Sequence, residues 1–478
     1  MAAAAVAAMS AVAVVTPAAP TGAVGAEALC TLCAGGEFHP VAPVRVFDSR
    51  PASADNPQLP INDVAPFGAK PINAVPAGVA PVVFDVALIG TTDDPAFENG
   101  WLPPYVQASD VLAVMVSLVV VSPGSSGYAS VYSTGTTPGG RSSVLNFRTG
   151  VTTANPTLVR PGTGGRITVE LRGTASASAH VLVDVMGWYS SSAYDGDGGA
   201  GDAGRGARSI AVTPGRVLNT AVNGVGPTSV TSVQIRGART LDASARVVVP
   251  DQPSVVGVII NVAVNRPTSN TFVSVLPDAP LGGTPGTSNV NVRAGETRSA
   301  MVVVPLGSDG AIRLYNHAGN TRLVVDVLGY LDLRFDETRA GRVIPLVTPF
   351  RAFDTRRDEF GRSPLGPGQA ELWSFAAFVN SVNIATVSVG AQSGLFGNLT
   401  NASLTRQYPT VAVTSNLRVF PALGVNGAPS ISQLNSSEAG AIANMIMLSY
   451  GAGSSSYAFN AAGYAHYLLD ISAVILAD

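Results

Sequence analysis

Lysine is almost absent from this 478-residue chain: Lys70 is the sole lysine among 28 basic residues, a bias that reflects GC-rich coding and carries no physical meaning for the fold. Charge of either sign is scarce. Asp, Glu, Lys and Arg make up 12% of the residues, about half the usual share of roughly 25%. The net charge is −3 and no Lys/Arg run occurs, so neither nucleic acid nor an anionic membrane surface is an expected partner. No apolar stretch is long enough to span a bilayer as a helix; the best, Val111 to Val121, falls far short of the roughly 20 residues required. The four histidines, His39, His180, His317 and His466, are scattered and form no triad or metal cluster. Gly-x-Ser-x-Gly, His-Glu-x-x-His and phosphate-loop patterns are all missing. No cofactor, no metal and no enzymatic activity are therefore expected. A glycosidase needs only two carboxylates placed by the fold, but the few here sit mostly in repeated positions or linkers.

Cysteine is nearly missing too. Cys30 and Cys33 form Cys-Thr-Leu-Cys just after an Ala/Val-rich, uncharged stretch at 1–26 whose small residues at its end suit signal-peptidase cleavage. In an exported chain, a local disulfide in the 27–40 segment is the leading expectation for the pair. Glu27 stands where a lipobox wants an apolar residue, and a zinc site with His39 would lack a fourth ligand. With 46% apolar residues and few charges, the surface must be built from Thr, Ser, Asn and Gly.

What is present is repetition. An apolar segment with one carboxylate closes each of three units: His180-Val181-Leu182-Val183-Asp184-Val185-Met186-Gly187-Trp188-Tyr189, Leu323-Val324-Val325-Asp326-Val327-Leu328-Gly329-Tyr330, and His466-Tyr467-Leu468-Leu469-Asp470-Ile471-Ser472. Each is preceded by an arginine motif: Arg45-Val46-Phe47-Asp48-Ser49-Arg50, Arg216-Val217-Leu218-Asn219-Thr220-Ala221 and Arg351-Ala352-Phe353-Asp354-Thr355-Arg356. Seven or eight short apolar runs separated by Gly, Pro, Asn and Ser fill each unit, and no amphipathic helix of any length appears. The expected fold is all-β, three tandem β-sandwich repeat domains of Ig-like or jelly-roll-like type. They span 41–190, 209–332 and 343–478, with a Gly/Asp-rich linker at 191–208 and a charged one at 333–342. A β-propeller is rejected because its repeats would be near 40–50 residues. Val111–Val121 and Val255–Val264 are apolar almost without interruption, which implies burial on both faces or against a neighbouring unit.

The arginine motif, then Ser288-Asn289-Val290-Asn291, Gly310-Ala311-Ile312-Arg313-Leu314-Tyr315-Asn316 and the closing Val-Asp-Val-Leu-Gly-Tyr, resembles the tandem modules of exported actinobacterial cell-surface proteins. The likeness covers all three units, about 40–476, and is strongest in the second; the third carries Ser472-Ala473 in place of the closing Gly-Tyr. It implies an extracellular or cell-surface location, in modules that occur in tandem or beside cell-wall hydrolase domains and have no established catalytic role.

Arg45, Arg216 and Arg351 recur in every opening motif, and Asp184, Asp326 and Asp470 in every closing one. A carboxylate inside an apolar strand is costly without a partner, so each Asp is expected to pair with its unit's Arg or with backbone N–H groups. Asp48 and Arg50 persist as Asp354 and Arg356 but become Asn219 and Ala221 together, which suggests that the two interact. Asn146, Asn291 and Asn435 are read as turn or edge-strand amides. Asp195 to Asp202 resembles a calcium loop faintly, without full ligand spacing.

The expected function is a non-catalytic exported structural or adhesive protein, with cell-wall or extracellular polysaccharide or other surface proteins as partners. The alternatives are a secreted hydrolase using Asp94 or Glu98 in the 90–110 insertion, and a self-assembling surface or appendage subunit.

Overall fold

The computed structural model describes residues 35–51, 69–74, 83–89, 101–103, 106–136, 142–173, 177–191, 194, 205–280, 283–336, 338–357, 363–381, 383–384, 387–388, 390–404, 415–422, 429–436 and 440–478. Residues 1–26, expected to be a signal segment, Cys30 and Cys33, the Asp195–Asp202 stretch, and Asp94 and Glu98 lie outside the described residues.

The first unit contains β1 (Phe38–Asp48), β2 (Lys70–Ala74), β3 (Val83–Ala87), β4 (Val111–Val121), β5 (Gly127–Ser133), β6 (Leu145–Phe147), β7 (Thr153–Val159), β8 (Arg166–Gly173) and β9 (Ala177–Ser190). The second contains β10 (Arg208–Asn219), β11 (Ser229–Gln234), β12 (Val255–Asn265), β13 (Thr271–Leu276), β14 (Val290–Val292), β15 (Thr297–Pro305), β16 (Ala311–Asn316) and β17 (Arg322–Asp332). The third has β18 (Val343–Asp354), β19 (Gln369–Ser374), helix α1 (Ala376–Ser381), β20 (Asn383–Ile384), β21 (Val387–Ser388), β22 (Gln392–Leu404), β23 (Ser415–Pro421), β24 (Leu434–Ser436), β25 (Ile442–Ser449), β26 (Ser455–Asn460) and β27 (Ala465–Leu476).

In the second unit the order is β10-β17-β12-β15 in one sheet and β11-β16-β13-β14 in the other; the third repeats it as β18-β27-β22-β25 and β19-β26-β23-β24. The first has the same two sets, β1-β9-β4-β7 and β3-β8-β5-β6, joined into one nine-stranded sheet because β2 pairs with both β8 and β9. Each unit's opening strand pairs antiparallel with its closing strand.

The expectation of three tandem β-sandwich domains, Ig-like or jelly-roll-like, is corrected by this arrangement. The strands form small sheets disposed in the manner of a six-bladed β-propeller, two to a unit, rather than a row of separate domains. Rejecting a propeller on repeat length fails for a related reason: the strands of a unit's two sheets interleave along the chain, so the sequence repeat spans a pair of blades. Three apolar clusters lie one in each unit. A fourth gathers residues from all three, among them Met115, Met186, Met301, Met445, Met447 and Phe396. The uninterrupted apolar strands follow from this layout. In β4, Val114, Val116 and Leu118 turn to the first unit's own core, while Leu112, Ala113 and Met115 turn to the shared centre. β25 divides likewise, with Ile446 and Leu448 on one side and Met445 and Met447 on the other. Flexible methionine suits such a centre because it fills irregular gaps between sheets that are only approximate copies.

The third closing strand forms despite its altered sequence. Its register sets Ala473 at the place of Gly329 and Val474 at that of Tyr330. A Cβ on Gly329 would meet the Ile210 carbonyl oxygen and Met447 Sδ, each at 2.6 Å, so a side chain there would force backbone apart. In the third unit, Ala473 is accommodated fully buried.

Candidate functional site

The repeated charges come together at the seams between units. Arg45 lies directly opposite Asp184 in the ladder, Arg216 opposite Asp326 and Arg351 opposite Asp470, each with a register shift one residue later. All three pairs are two-pronged. Arg45 donates from Nε and Nη2 to Asp184 at 2.8 and 3.2 Å, and Arg216 to Asp326 at 2.8 and 3.1 Å. Arg351 donates to both oxygens of Asp470, the Nη2 contact being 3.0 Å.

In the first and third units the network extends outward. Asp48 accepts from Arg45 Nη1 at 3.3 Å and from Arg50 Nη2 at 2.7 Å. Asp354 does the same with Arg351 at 2.9 Å and Arg356 at 2.8 Å. The second unit lacks this extension; Asn219 instead accepts from Arg322 Nε at 2.8 Å. Asp48 and Arg50 therefore touch each other, as do Asp354 and Arg356.

Burial would raise the Asp48 carboxyl, but the Arg50 hydrogen bonds and the charges of Arg50 and Arg45 outweigh it and hold the group below the usual carboxylate range. Asp354 is lowered likewise, burial being overcome by Arg356 and Arg351. For Asp326 and Asp470 burial is the largest influence and leaves each carboxyl above its usual range despite the arginine. The stability consequences are opposite in sign. Asp48 and Asp354 contribute stability that is present above an unfolded value of about 3.9 and is lost as pH falls through their lower folded values. Asp326 and Asp470 favour the fold most fully below about pH 4 and lose that contribution as pH rises through their higher folded values. Asp48→Asn combined with Asp354→Asn should thus lower the melting temperature at pH 7 and flatten its decline below pH 4. Acid limbs of equal steepness in wild type and variant would contradict this assignment.

Two of the seams add contacts that the sequence reading missed. Ser432 N of the third unit donates to Asp326 Oδ2 at 2.9 Å, and Ser143 N of the first to Asp470 Oδ2 at 3.3 Å. Beside them lie buried amides. Asn444 Nδ2 donates to Asn261 Oδ1 at 2.8 Å, and its Oδ1 accepts from Met301 N at 2.9 Å. Asn155 Nδ2 donates to Asn398 Oδ1 at 2.8 Å, while its Oδ1 accepts from Met445 N at 3.1 Å. The register gives the places of these amides at the seam between the first and second units. Ser117 faces Asp184 as Asn261 faces Asp326 and Asn398 faces Asp470. Ala300 occupies the place of Asn155 and Asn444. Both amides are lost together there, and Asp184 has Arg45 as its sole hydrogen-bonding partner among the described residues.

Asn146, Asn291 and Asn435 do sit on edge strands. Asn291 and Asn435 donate to a serine hydroxyl three residues earlier, at 3.1 and 3.5 Å, and the buried Asn146 Nδ2 has no partner among the described residues.

Between the first and third units is a half-open cleft of about 220 Å³ whose polar lining includes Tyr128, Ser143, Asn146, Arg351, Arg356 and Arg357. Among the described residues no carboxylate lines it. Arg351 is held at its back by Asp470 and Asp354, while the Arg356 and Arg357 side chains are 47% and 55% exposed at its mouth. A second cleft opens between the first and second units. Among the described residues no group of three His, Cys, Asp or Glu is placed to hold a metal ion, and no helix is long and apolar enough to cross a membrane.

No protein-family model matches the chain, and no curated protein matches it in sequence. Among solved structures, one of the Sulfolobus turreted icosahedral virus is 9% identical over 91% of this chain and 92% of that one, with a TM-score of 0.17. A triple jelly-roll protein of an archaeal virus is 10% identical, covers 91% of each chain and has a TM-score of 0.16. The tandem CBM22 domains from Paenibacillus barcinonensis are 13% identical over 47% of this chain and 79% of theirs, with a TM-score of 0.12. Scores this low do not establish a shared fold.

Proposed function

We propose that the protein is a non-catalytic exported binding or adhesive protein whose arginine-lined cleft between the first and third units takes an acidic extracellular or cell-wall glycan. The observation that carries this reading is the division of labour among the charges. Asp354 and Asp470 are drawn into ion pairs behind the cleft, so among the described residues the polar surface offered to a ligand consists of guanidinium, amide and hydroxyl groups. Planar guanidinium donors match a sugar carboxylate in two-pronged fashion, and Tyr128 lines the same cleft. Polygalacturonate titrated against the full chain should bind more tightly than neutral dextran. Arg356→Ala combined with Arg357→Ala should weaken it about 10-fold or more, from the loss of charge-assisted hydrogen bonds. Equal affinity for the neutral polymer would overturn the reading. So would turnover of a polysaccharide that Asp94→Asn or Glu98→Gln abolishes, which would point to the hydrolase instead.

A further inference from the structure

The second cleft, about 230 Å³ and half-open, lies between residues 150–152 of the first unit and strands β13 to β15 of the second. Its arginines are poorly compensated. Arg298 is 9% exposed. Among the described residues its guanidinium makes no hydrogen bond, and the nearest carboxylate oxygen, Glu296 Oε2, is 3.9 Å away. Glu296 is already engaged across the seam, accepting from Arg148 Nη2 at 2.9 and 3.0 Å. Arg293 reaches the Gly150 carbonyl at 2.6 Å, and among the described residues the buried Arg148 Nε has no partner. Arg148 and Arg298 therefore share one carboxylate, with Arg293 lining the same cleft, so among the described residues positive charge exceeds negative here.

Burying a cation without a partner is costly, and like charges beside it add to the cost. Burial, followed by the charge of Arg148, brings Arg298 down to about 10, with Glu296 opposing and Arg293 adding to the effect. The same cleft contains the side chains of Asn270 and Asn291. This seam is also the one that lacks the buried amides, so charged contacts across it stand in place of Asn-to-Asn bonds.

We propose that this cleft is an oxyanion site, taking a doubly charged tetrahedral group such as phosphate or a phosphate monoester on Arg298 and Arg293, with Arg148 adding its charge from behind Glu296. A dianion would offset the positive charge, supply acceptors to Arg298 and Arg293, and clamp the first unit to the second. The inference is independent of the glycan cleft and uses none of its residues.

The test is a titration of the full chain with inorganic phosphate, with glucose 6-phosphate and with glucose, against sodium chloride of matched ionic strength. Phosphate should bind saturably and raise the melting temperature, as a ligand specific for the folded state must. Glucose 6-phosphate binding as well would identify a phosphorylated sugar as an acceptable form; phosphate binding alone would restrict the site to the free ion. Arg298→Met should weaken phosphate about 10- to 100-fold, from the loss of charge-assisted hydrogen bonds. Should that variant not fold, Glu296→Gln provides the second reading: removing the competing carboxylate should tighten phosphate binding. No response beyond chloride, unchanged affinity in a folded Arg298→Met, or weaker binding in Glu296→Gln would each overturn the proposal.

Discussion

Replacing Asp326 by alanine is expected to cost about 3–5 kcal/mol of stability, the penalty for leaving a buried charge without its counterpart. Asp326 is fully buried, and it accepts three hydrogen bonds: two from Arg216 and one from Ser432 N of the third unit. Alanine strands all three donors, and the backbone N–H cannot turn away to water. Arg216 keeps part of its side chain exposed, which puts the expected loss nearer the lower figure. The double change Arg216→Met with Asp326→Leu should recover much of it, since a buried ion pair often performs no better than well-packed apolar residues. A double-mutant cycle read by urea unfolding measures the coupling; strictly additive losses would refute the pairing. Asp184→Ala offers an internal control. Among the described residues its carboxylate bonds to Arg45 alone and to no neighbouring unit, so its loss should be smaller than that of Asp326.

These pairs were legible in the sequence for a simple reason. An aspartate between valines has few ways to be satisfied, and an arginine recurring at the start of the same unit supplies one. The joint disappearance of Asp48 and Arg50 at Asn219 and Ala221 likewise carried a physical meaning, because losing one alone would strand the other. The arrangement of sheets was not legible. Short alternating strands look the same whether their sheets close on a private core or turn one face to a shared centre, and the repeat length misleads when one repeat holds two interleaved sheets. A clue lay in the continuous apolar run of β12, where Ile259 and Ile260 face opposite sides of the sheet. The seam amides had a signal that went unused. Asn261 and Asn444 each interrupt an otherwise apolar strand core, and a buried amide needs partners for both donor and acceptor. The Arg298 cleft had no such signal, because Arg148 and Arg298 belong to different units and meet only through the fold.

The same reasoning applies to Asn444, where alanine is expected to cost about 3–5 kcal/mol. Asn444 is fully buried; truncation leaves Met301 N–H and Asn261 Oδ1 without their partners. Each buried polar group left unpaired costs about 1–3 kcal/mol, and the lost side chain adds its packing. The chain itself contains the compensated form of this change, at the seam where Ala300 and Ser117 replace both amides. Asn444→Ala combined with Asn261→Ser should therefore cost less than the sum of the two single changes, because the second removes the acceptor that the first strands. Hydrogen exchange would locate the effect: protection of Met301 N–H should fall in Asn444→Ala, while the Asn155–Asn398 seam keeps its own. If the two changes add without coupling, or if protection falls equally at both seams, then the amides act as independent polar groups and not as joints between neighbouring units.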